Sequence, residues 1–144
     1  MRASGWTYTE LAIMNMQPFV DAYGFVAGDE VLRFAALTIG ETIDRFGTSD
    51  DFIGQATSDA FVVITYADNA HELVREIQER FSDAIGSHYN FLDSERGGIV
   101  LSDGSLAPLM WLAAGTVSDQ DGPFTDIREI TEAAAVARRA DSVS

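Results

Sequence analysis

Polar and apolar residues alternate near the start of the chain and then give way to a mostly apolar run, over residues 6–16, WTYTELAIMNM. This pattern predicts a strand that enters a hydrophobic core. Pro18 suits the first position of a helix, so the segment PFVDAY predicts a short helix that Gly24 terminates. A strand and a short helix therefore open the predicted fold.

A longer amphipathic helix is predicted from Gly28 to about Phe46, with Gly47 as its C-terminal cap. The prediction depends on an apolar stripe whose members recur three and four positions apart. The stripe consists of Leu32, Ala36, Ile39 and Ile43. We expect this stripe to face the core.

A hairpin is predicted after this helix. Its strands are Asp50–Ala56 and Phe61–Tyr66, and the polar residues Thr57–Ala60 form the turn between them. The second strand reads FVVITY and is apolar on both faces, which is typical of a strand inside a sheet. We therefore expect Phe61–Tyr66 to have a neighbouring strand on each side.

A third helix is predicted between Asn69, which can cap its start, and Gly86, near which it ends. Its apolar positions again repeat at three and four residues. They are Val74, Ile77, Phe81 and Ile85. One face of this helix should therefore pack inward.

Two further strands are predicted after a loop that extends to residue 97. They are Gly98–Leu101 and Ala107–Val117, on either side of the turn sequence SDGS at 102–105, and Leu109–Ala114 should be their most buried part. Residues 118–123 are predicted to form another loop.

An Ala-rich helix is predicted to start at Thr125 or Asp126 and to end near Ala140, and residues 141–144 are expected to form a frayed tail. The order of elements predicts one α/β domain over residues 1–144. Its centre should be a mostly antiparallel sheet with helices packed on it. No internal repeat or linker divides the sequence.

Composition narrows the class of protein. Hydrophobic residues make up 47% and charged residues 22%, which is typical of a soluble globular domain. The absence of cysteine excludes disulfides and thiolate zinc sites. Apolar runs such as 61–66 and 106–114 are far shorter than the ~20 residues that a membrane-spanning helix needs. We expect a cytoplasmic protein without membrane insertion.

Charge argues against a nucleic-acid partner. The formal net charge is −14, and all nine basic residues are arginine. A nucleic-acid duplex repels an acidic surface unless basic residues are gathered on one face, and Arg138–Arg139 is the only adjacent basic pair. The acidic surface could steer a basic protein partner or could serve solubility alone.

Short motifs in the right order resemble the GGDEF domain, the fold of bacterial diguanylate cyclases. The segments are AIMNMQ at 12–17, VDAYGFVAGDEVL at 20–32 and TSDAF at 57–61. In the GGDEF family the first strand ends in Asp-Ile-Asp, a Gly-x-x-x-Gly-Asp-x-x-Leu segment follows, and Gly-Gly-Asp-Glu-Phe forms a hairpin turn. The resemblance implies a ferredoxin-like palm, as in class III nucleotide cyclases, and a place in bacterial cyclic di-GMP signalling.

The departures from the family pattern fall on the residues of catalysis. A diguanylate cyclase joins two GTP molecules with the help of two divalent cations held by carboxylates. The family's first-strand metal ligand aligns with Ala12, and the next acidic position aligns with Met14. The resemblance therefore implies no enzyme activity, no metal site and no cofactor.

The signature turn is altered as well. Its two glycines align with Thr57 and Ser58, its glutamate aligns with Ala60, and Asp59 and Phe61 match the family. Asp59 is a candidate for weak nucleotide or metal contact. It is also a residue that ordinary turns favour, because Asp bonds its own backbone.

Three other positions bear on nucleotide binding. The guanine-reading asparagine of the family aligns with Val20, while its partner aspartate aligns with Asp29. Arg138 lies where the family often has a lysine near the phosphates. Both retained residues have a structural alternative, because an acidic side chain suits the first turn of a helix and a basic one suits the last.

The Arg-x-x-Asp motif of the family's inhibitory site aligns with Thr48 and Asp51. The arginine that would bind a phosphate or a guanine edge is therefore missing. Binding of cyclic di-GMP at this position is not expected.

We therefore hypothesise a catalytically inactive signalling or regulatory domain that acts by docking a protein partner or by homodimerisation. The second hypothesis is a nucleotide sensor that binds GTP or cyclic di-GMP through Asp29, Asp59 and Arg138 without turnover. The third is an enzyme of altered substrate choice, or a residual diguanylate cyclase. By resemblance, we also expect a fragment of a longer protein, such as a two-component response regulator, with an upstream sensory or receiver domain. Trp6 is a candidate for packing against an upstream segment.

Overall fold

A computed structural model describes residues 5–141 of the chain. Its main sheet has four antiparallel strands in the order β2-β3-β1-β6. The bounds of these strands are Thr7–Met14 for β1, Phe52–Thr57 for β2, Ala60–Thr65 for β3 and Trp111–Ser118 for β6. The predicted antiparallel sheet and the central place of the FVVITY strand are confirmed.

Five helices surround the strands in the described part of the chain. They are α1 at Met16–Tyr23, α2 at Phe25–Phe46, α3 at Ala70–Ile85, α4 at Phe91–Arg96 and α5 at Ile127–Ala140. Strands β4, Gly98–Val100, and β5, Leu106–Pro108, form a separate two-stranded ribbon. Two short 3₁₀ turns, Gly86–His88 and Asp119–Asp121, complete the secondary structure.

The first face of the main sheet is covered by α2 and α3, which pack side by side over it. The buried core there combines strand residues of β1, β3 and β6 with one stripe from each helix. Representative members are Leu11, Val63, Leu112, Ile39 and Phe81, all at most 1% exposed. Removing these apolar side chains from water stabilises the folded domain.

The second face carries a smaller apolar cluster under α5. Tyr8, Val117 and Ala134 are buried in it, and Trp6 packs at its margin against Phe124 with the ring centroids 6.1 Å apart. Trp6 thus has an aromatic partner within the described chain, and its packing against an upstream segment stays a prediction. The helix α5 contacts mainly β6 and β1.

A hydrogen-bonded network fastens α4 to the junction between α1 and α2. The Tyr23 hydroxyl donates to the Asp93 carboxylate at 2.5 Å and accepts from the Asn90 amide at 2.9 Å. Arg96 also donates to Asp93, at 2.5 Å. Because Tyr23 and Asp93 are 70 residues apart in sequence, this contact fixes a segment that the sequence predicted as a loop.

Several predicted boundaries are corrected by the structure. The short helix begins at Met16 and not at Pro18, because Asn15 takes a left-handed conformation, with φ of 67°, that turns the chain from strand to helix. Helix α2 begins at Phe25, three residues before the predicted Gly28. At the start of α3, Asn69 makes no side-chain capping bond.

The predicted stripe of α2 is rotated by about one position. Val31, Ala35 and Ile39 are fully buried, whereas Leu32 and Ala36 lie at the edge of the core. The buried arc of α2 is wide because the helix packs against both α1 and α3, and its buried residues share one core with those of the sheet.

The stretch 107–117 does not form one strand. Leu109 and Met110 interrupt it, and the Met110 amide donates to the Tyr89 hydroxyl at 2.9 Å while Met110 itself is buried. The expected tail at 141–144 is also wrong at its first residue, since Asp141 accepts hydrogen bonds from Gln78 and from Ala114. Residues 142–144 lie outside the described residues.

The outer edge of β6 is capped by side chains. Gln78 donates to the Leu112 carbonyl at 2.8 Å, and the Ala114 amide donates to the Asp141 carboxylate at 2.8 Å. The Ser118 amide donates to Asp121 at 2.8 Å. These bonds satisfy backbone groups that would otherwise be free to pair with another strand.

No helix within residues 5–141 combines the length and the apolar character needed to cross a membrane.

Candidate functional site

A cleft of about 570 Å³ opens on the second face of the sheet. It is bounded by the end of β1, the start of α1, the turn between β2 and β3, and one side of α5. The titratable side chains in its lining are Tyr8, Glu10, Asp59 and Arg138. The positions of the sequence-predicted residues can be compared with the lining of this cleft.

Small side chains form the floor of the cleft where β1 meets β3. Ala12 and Ala60 are direct register partners, and both are buried, with exposed fractions of 6% and 5%. Side chains of register partners lie on the same face of a sheet with their Cβ atoms roughly 5 Å apart. The two positions that face the cleft together therefore present methyl groups and no ligand atoms.

The turn beside this floor is tied to β1. The Ile13 amide donates to the Asp59 carbonyl at 2.8 Å, and the Thr57 hydroxyl donates to the Asp59 carboxylate at 3.2 Å. Thr57 and Ala60 still pair, so the turn itself is the two residues Ser58 and Asp59, shorter than the predicted four. Asp59 is held at the rim of the cleft.

An ion pair crosses the wall of the cleft. Arg138 Nε lies 3.5 Å from Glu10 Oε2, and the two side chains are only 22% and 16% exposed. Glu10 is the register partner of Gly115 on β6, and α5 passes so close to Gly115 that a Cβ there would lie 2.2 Å from the Arg138 amide nitrogen. Because Gly115 has no side chain, α5 can pack closely on β6, and Arg138 then reaches Glu10 on the neighbouring strand β1.

Tyr8 lies two residues before Glu10 and lines the cleft on the same face of β1. Burial raises the pKa of the Tyr8 phenol, and the nearby Glu10 carboxylate raises it further. The phenol therefore keeps its proton at neutral pH and can donate a hydrogen bond, although it does not act as a base there.

The structure brings together some of the predicted site residues. Asp59 and Arg138 both line the cleft, as do Thr57 and Ala60 of the signature turn. Asp29 does not: it is exposed near the start of α2, away from the cleft lining. Asp29 is therefore not among the residues that this cleft brings together with Asp59 and Arg138.

Phe61, the last residue of the signature turn, belongs to the opposite face. It is 5% exposed and packs in the core beneath α2 and α3. Ser58 is exposed at the tip of the turn. Neither side chain lines the cleft, so the structure assigns Phe61 a packing role.

Sequence reasoning missed Glu10. It looked for carboxylates at the end of the first strand, at Ala12 and Met14, and the side-chain period of two would have pointed one step further back along the same face. The pairing with Arg138 had no sequence signal, because the two residues are 128 positions apart.

The donors in the cleft do not fit a two-metal centre. Among residues 5–141, no group of three or more His, Cys, Asp or Glu side chains is placed to hold a metal ion. Of the two carboxylates in the lining, Glu10 pairs with Arg138 and Asp59 accepts from Thr57. Metal-assisted phosphoryl chemistry needs several oxygen ligands per ion, and the cleft does not gather them.

Asp51, which aligns with the inhibitory-site aspartate, has a structural role. Its carboxylate accepts from the Thr48 amide and hydroxyl, from the Thr65 hydroxyl at 2.8 Å and from the Tyr66 amide at 3.1 Å. Burial alone would raise the pKa of Asp51, but these hydrogen bonds outweigh it and hold the pKa below its ordinary value. The residue joins the loop before β2 to the end of β3.

Comparison with known proteins identifies the fold. No protein-family model matches the chain, and no curated protein matches it in sequence. Solved GGDEF domains do match it in structure. The GGDEF domain of DgcB from Caulobacter crescentus, solved with c-di-GMP, is 16% identical with a TM-score of 0.63, over 95% of this chain and 71% of that one.

Two further structures agree. The active GGEEF domain of a diguanylate cyclase from Vibrio cholerae is 21% identical with a TM-score of 0.63, over 94% of this chain and 78% of that one. The diguanylate cyclase SiaD from Pseudomonas aeruginosa, solved with its activator SiaC, is 14% identical with a TM-score of 0.60, over 94% and 45%. The chain therefore has the fold of a GGDEF domain, as the sequence resemblance implied.

Proposed function

We propose that this domain is a non-catalytic signalling domain of the GGDEF fold, which acts through contacts with other proteins and does not join GTP molecules. The observation that carries the proposal is the floor of the cleft. Ala12 and Ala60 stand as register partners where carboxylates would have to face the substrate phosphates. A fold does not by itself supply an activity, so the side chains at the site decide.

The remaining carboxylates support the same proposal. Joining two GTP molecules requires cations that neutralise phosphate charge and activate a hydroxyl. Glu10 is the nearest acidic residue on β1, and its charge is already balanced by Arg138 at 3.5 Å. Asp59 alone would hold a magnesium ion weakly, because such ions rely on carboxylates acting together with phosphates.

The side chains that would recognise a guanine base are also absent from the cleft. Val20 is apolar and packs beside Gly28, where an added Cβ would lie 2.9 Å from the valine methyl carbon. Asp29 is exposed and apart from the cleft. A base bound in the cleft would therefore find neither of the two side chains that the sequence alignment assigned to it.

Two of the similar structures contain more than a GGDEF domain. The structure of SiaD was solved in complex with its activator SiaC, and DgcB was solved with its coiled coil. We propose a comparable regulatory use for this domain, in the cytoplasm of a bacterium, within cyclic di-GMP signalling and next to a sensory or receiver domain.

A nucleotide sensor is the second candidate, because the cleft is open. Its volume of about 570 Å³ is in the range of small-molecule sites, and Arg138 is a phosphate-binding group within its lining. Binding there would compete with the Glu10 contact, since both use the same guanidinium.

Calorimetric titration of the domain with GTP and with cyclic di-GMP in Mg²⁺, followed by chromatography of the mixtures, separates these functions. The proposal expects no product above buffer, with Mg²⁺ or with Mn²⁺. Heat without product would favour the sensor. Product that increases in proportion to protein concentration would refute a non-catalytic domain.

A further inference from the structure

The first turns of helices α2 and α4 carry strongly exposed apolar side chains. Phe25 and Val26 on α2 are 84% and 74% exposed, and Phe91 and Leu92 on α4 are 75% and 67% exposed. Within residues 5–141, these are the four most exposed large hydrophobic side chains. None of the four belongs to a buried cluster or lines the cleft. We call these four side chains the α2–α4 patch.

The two helix starts are held next to each other by Tyr23. The Tyr23 hydroxyl accepts a hydrogen bond from the Asn90 amide at 2.9 Å. Tyr23 lies two residues before Phe25, and Asn90 directly precedes Phe91. The exposed pair on α2 and the exposed pair on α4 therefore lie close together, although they are more than 60 residues apart in sequence.

A packed group of aromatic rings supports this arrangement from beneath. Tyr23 stacks on Phe19 with the ring centroids 4.7 Å apart, and Tyr89 meets both rings edge-on, at 5.0 Å from Phe19 and 5.7 Å from Tyr23. Phe19 and Tyr89 are buried in the core of the first face. The α2–α4 patch is thus anchored to that core and is separate from the face of the sheet that α5 covers.

The ribbon of β4 and β5 adds apolar surface beside α4, to which Gly97 joins it. Val100 and Leu106 are register partners and therefore share one face of the ribbon. They are 48% and 45% exposed, whereas Ile99 on the opposite face packs against the core. The outward face of the ribbon is therefore apolar as well.

Charge around the patch limits which partner fits it. Residues 22–28, 84–92 and 97–102 contain no Asp, Glu or Arg, although the chain has 23 acidic and nine basic residues. The charged residues that flank these segments are five aspartates and Arg96, which pairs with Asp93. The patch is therefore an uncharged apolar area within an acidic surface. It offers no charge that would select an oppositely charged partner, whereas it is complementary to itself.

The size of the patch suits a pair of copies. Covering its two phenyl rings and two aliphatic side chains would remove roughly 500 Å² per copy from water. An apolar area of this size with a polar rim is typical of a protein interface. A symmetric contact would bury about 1,000 Å² over the two copies, which is near the lower limit for a specific interface. Such a contact should be reversible, with a dissociation constant in the micromolar range.

We propose that the α2–α4 patch is the interface of a reversible homodimer, in which the patches of two copies pack against each other about a two-fold axis. None of the four side chains lines the cleft, so the contact requires no nucleotide. This inference rests on the proposed function and names a second copy of the chain as the protein partner.

Analytical ultracentrifugation without nucleotide tests the proposal. Over a range of protein concentrations, the domain should show an equilibrium between monomer and dimer. Raising NaCl from about 50 mM to about 500 mM should strengthen the dimer, because salt screens the repulsion between two chains of net charge −14. In isotope-labelled protein, the amide shifts that change most with concentration should be those of residues 24–27 and 90–93.

Variants test the surface itself. Phe25→Glu and Phe91→Glu should each weaken the dimer at least roughly tenfold, because each places a carboxylate inside an apolar contact. Phe25→Ser adds no charge and should weaken the dimer too, which separates lost packing from added repulsion. The matched control is Phe52→Glu on β2, at a side chain that is 56% exposed and outside the patch, and it should leave the dimer unchanged. All these side chains are exposed, so the urea midpoints of the variants should equal that of the parent.

A domain that stays monomeric at every concentration would overturn the inference. So would a dimer that the patch variants leave intact, a dimer that Phe52→Glu abolishes, or one that weakens in high salt. Chromatography for nucleotide product, run on the same samples with GTP, reports on the proposed function separately. A monomer that makes no product loses only the dimer inference, whereas product formation would refute the non-catalytic function whatever the oligomeric state.

Discussion

The backbone of Arg138 in α5 passes directly over Gly115 in β6, where an added Cβ would lie 2.2 Å from the Arg138 amide nitrogen and 2.0 Å from the Ala134 carbonyl oxygen. Because Gly115 is the register partner of Glu10, this close approach places the arginine beside the one carboxylate on the second face of β1. Gly115 therefore permits both the close packing of α5 on β6 and the pairing of Arg138 with Glu10 in the cleft.

Replacing Gly115 by Ala should destabilise the domain by about 2–4 kcal/mol, since the methyl group would meet helix backbone that cannot rotate away. The matched control is Gly40→Ala in α2, where an added Cβ meets nothing within 4 Å. That change should stabilise by about 0.5–1 kcal/mol, because Ala favours helix. Urea unfolding measures both, and equal stabilities of the two variants would contradict the close contact.

The Glu10–Arg138 pair should show coupling in a double-mutant cycle. Glu10→Gln and Arg138→Gln should each cost about 1–2 kcal/mol, between the values for exposed and fully buried pairs, because each leaves a charge without its partner. The double variant should cost less than the sum of the two, by about 1 kcal/mol. Strictly additive costs would show that the two side chains do not interact in solution.

The free energy of unfolding should depend on pH in the acid range because of Asp51. Its pKa in the folded domain lies below the ordinary value of 3.8, so the unfolded chain takes up the proton first and folding is favoured as pH rises. The contribution is complete above about pH 4 and is lost as the pH falls through the folded-state pKa. Asp51→Asn should therefore differ most from the parent at neutral pH and least in acid, by urea unfolding at each pH. A constant difference would contradict this, and Asp50→Asn is the exposed control.

A metal site should be obtainable at the floor of the cleft. Ala12→Asp together with Ala60→Glu would place two carboxylates on register partners, with Cβ atoms roughly 5 Å apart, next to Asp59. The double variant should bind Mn²⁺ measurably in a paramagnetic titration, and each single variant should bind at least roughly tenfold more weakly. Equal affinity of parent and double variant would show that these positions do not face a common site.

Most of the fold could be predicted from the sequence because periodicity and caps act locally. Helix α3 and helix α5 match their predicted bounds closely, since α3 has a regular apolar stripe and ends at Gly86, and the Asp126 side chain caps the start of α5. The prediction of a loop before residue 98 was wrong, because this stretch contains α4, a helix of six residues without an apolar repeat. Asn90 and Gly97 cap it locally, but Asp93 also bonds the distant Tyr23 hydroxyl, a contact that no local pattern encodes.

The site was predicted in part for a similar reason. Asp59 and Arg138 were found because they occupy marked places in an ordered motif, and both line the cleft. Glu10 was missed because its role depends on Arg138, which lies 128 positions later in the chain and reaches Glu10 where α5 crosses β6 at Gly115. Asp29 does not line this cleft, and the order of motifs along the chain could not fix its position around it.

The capped edge of β6 limits how this protein can assemble. A fibre that grows by strand addition needs two open sheet edges on every subunit, so that each edge can pair with a strand of another subunit. Gln78, Asp141 and Asp121 occupy backbone groups along one of them, at Leu112, Ala114 and Ser118. Growth through β2 would thus stop after a single addition, leaving a closed pair in place of an endless polymer.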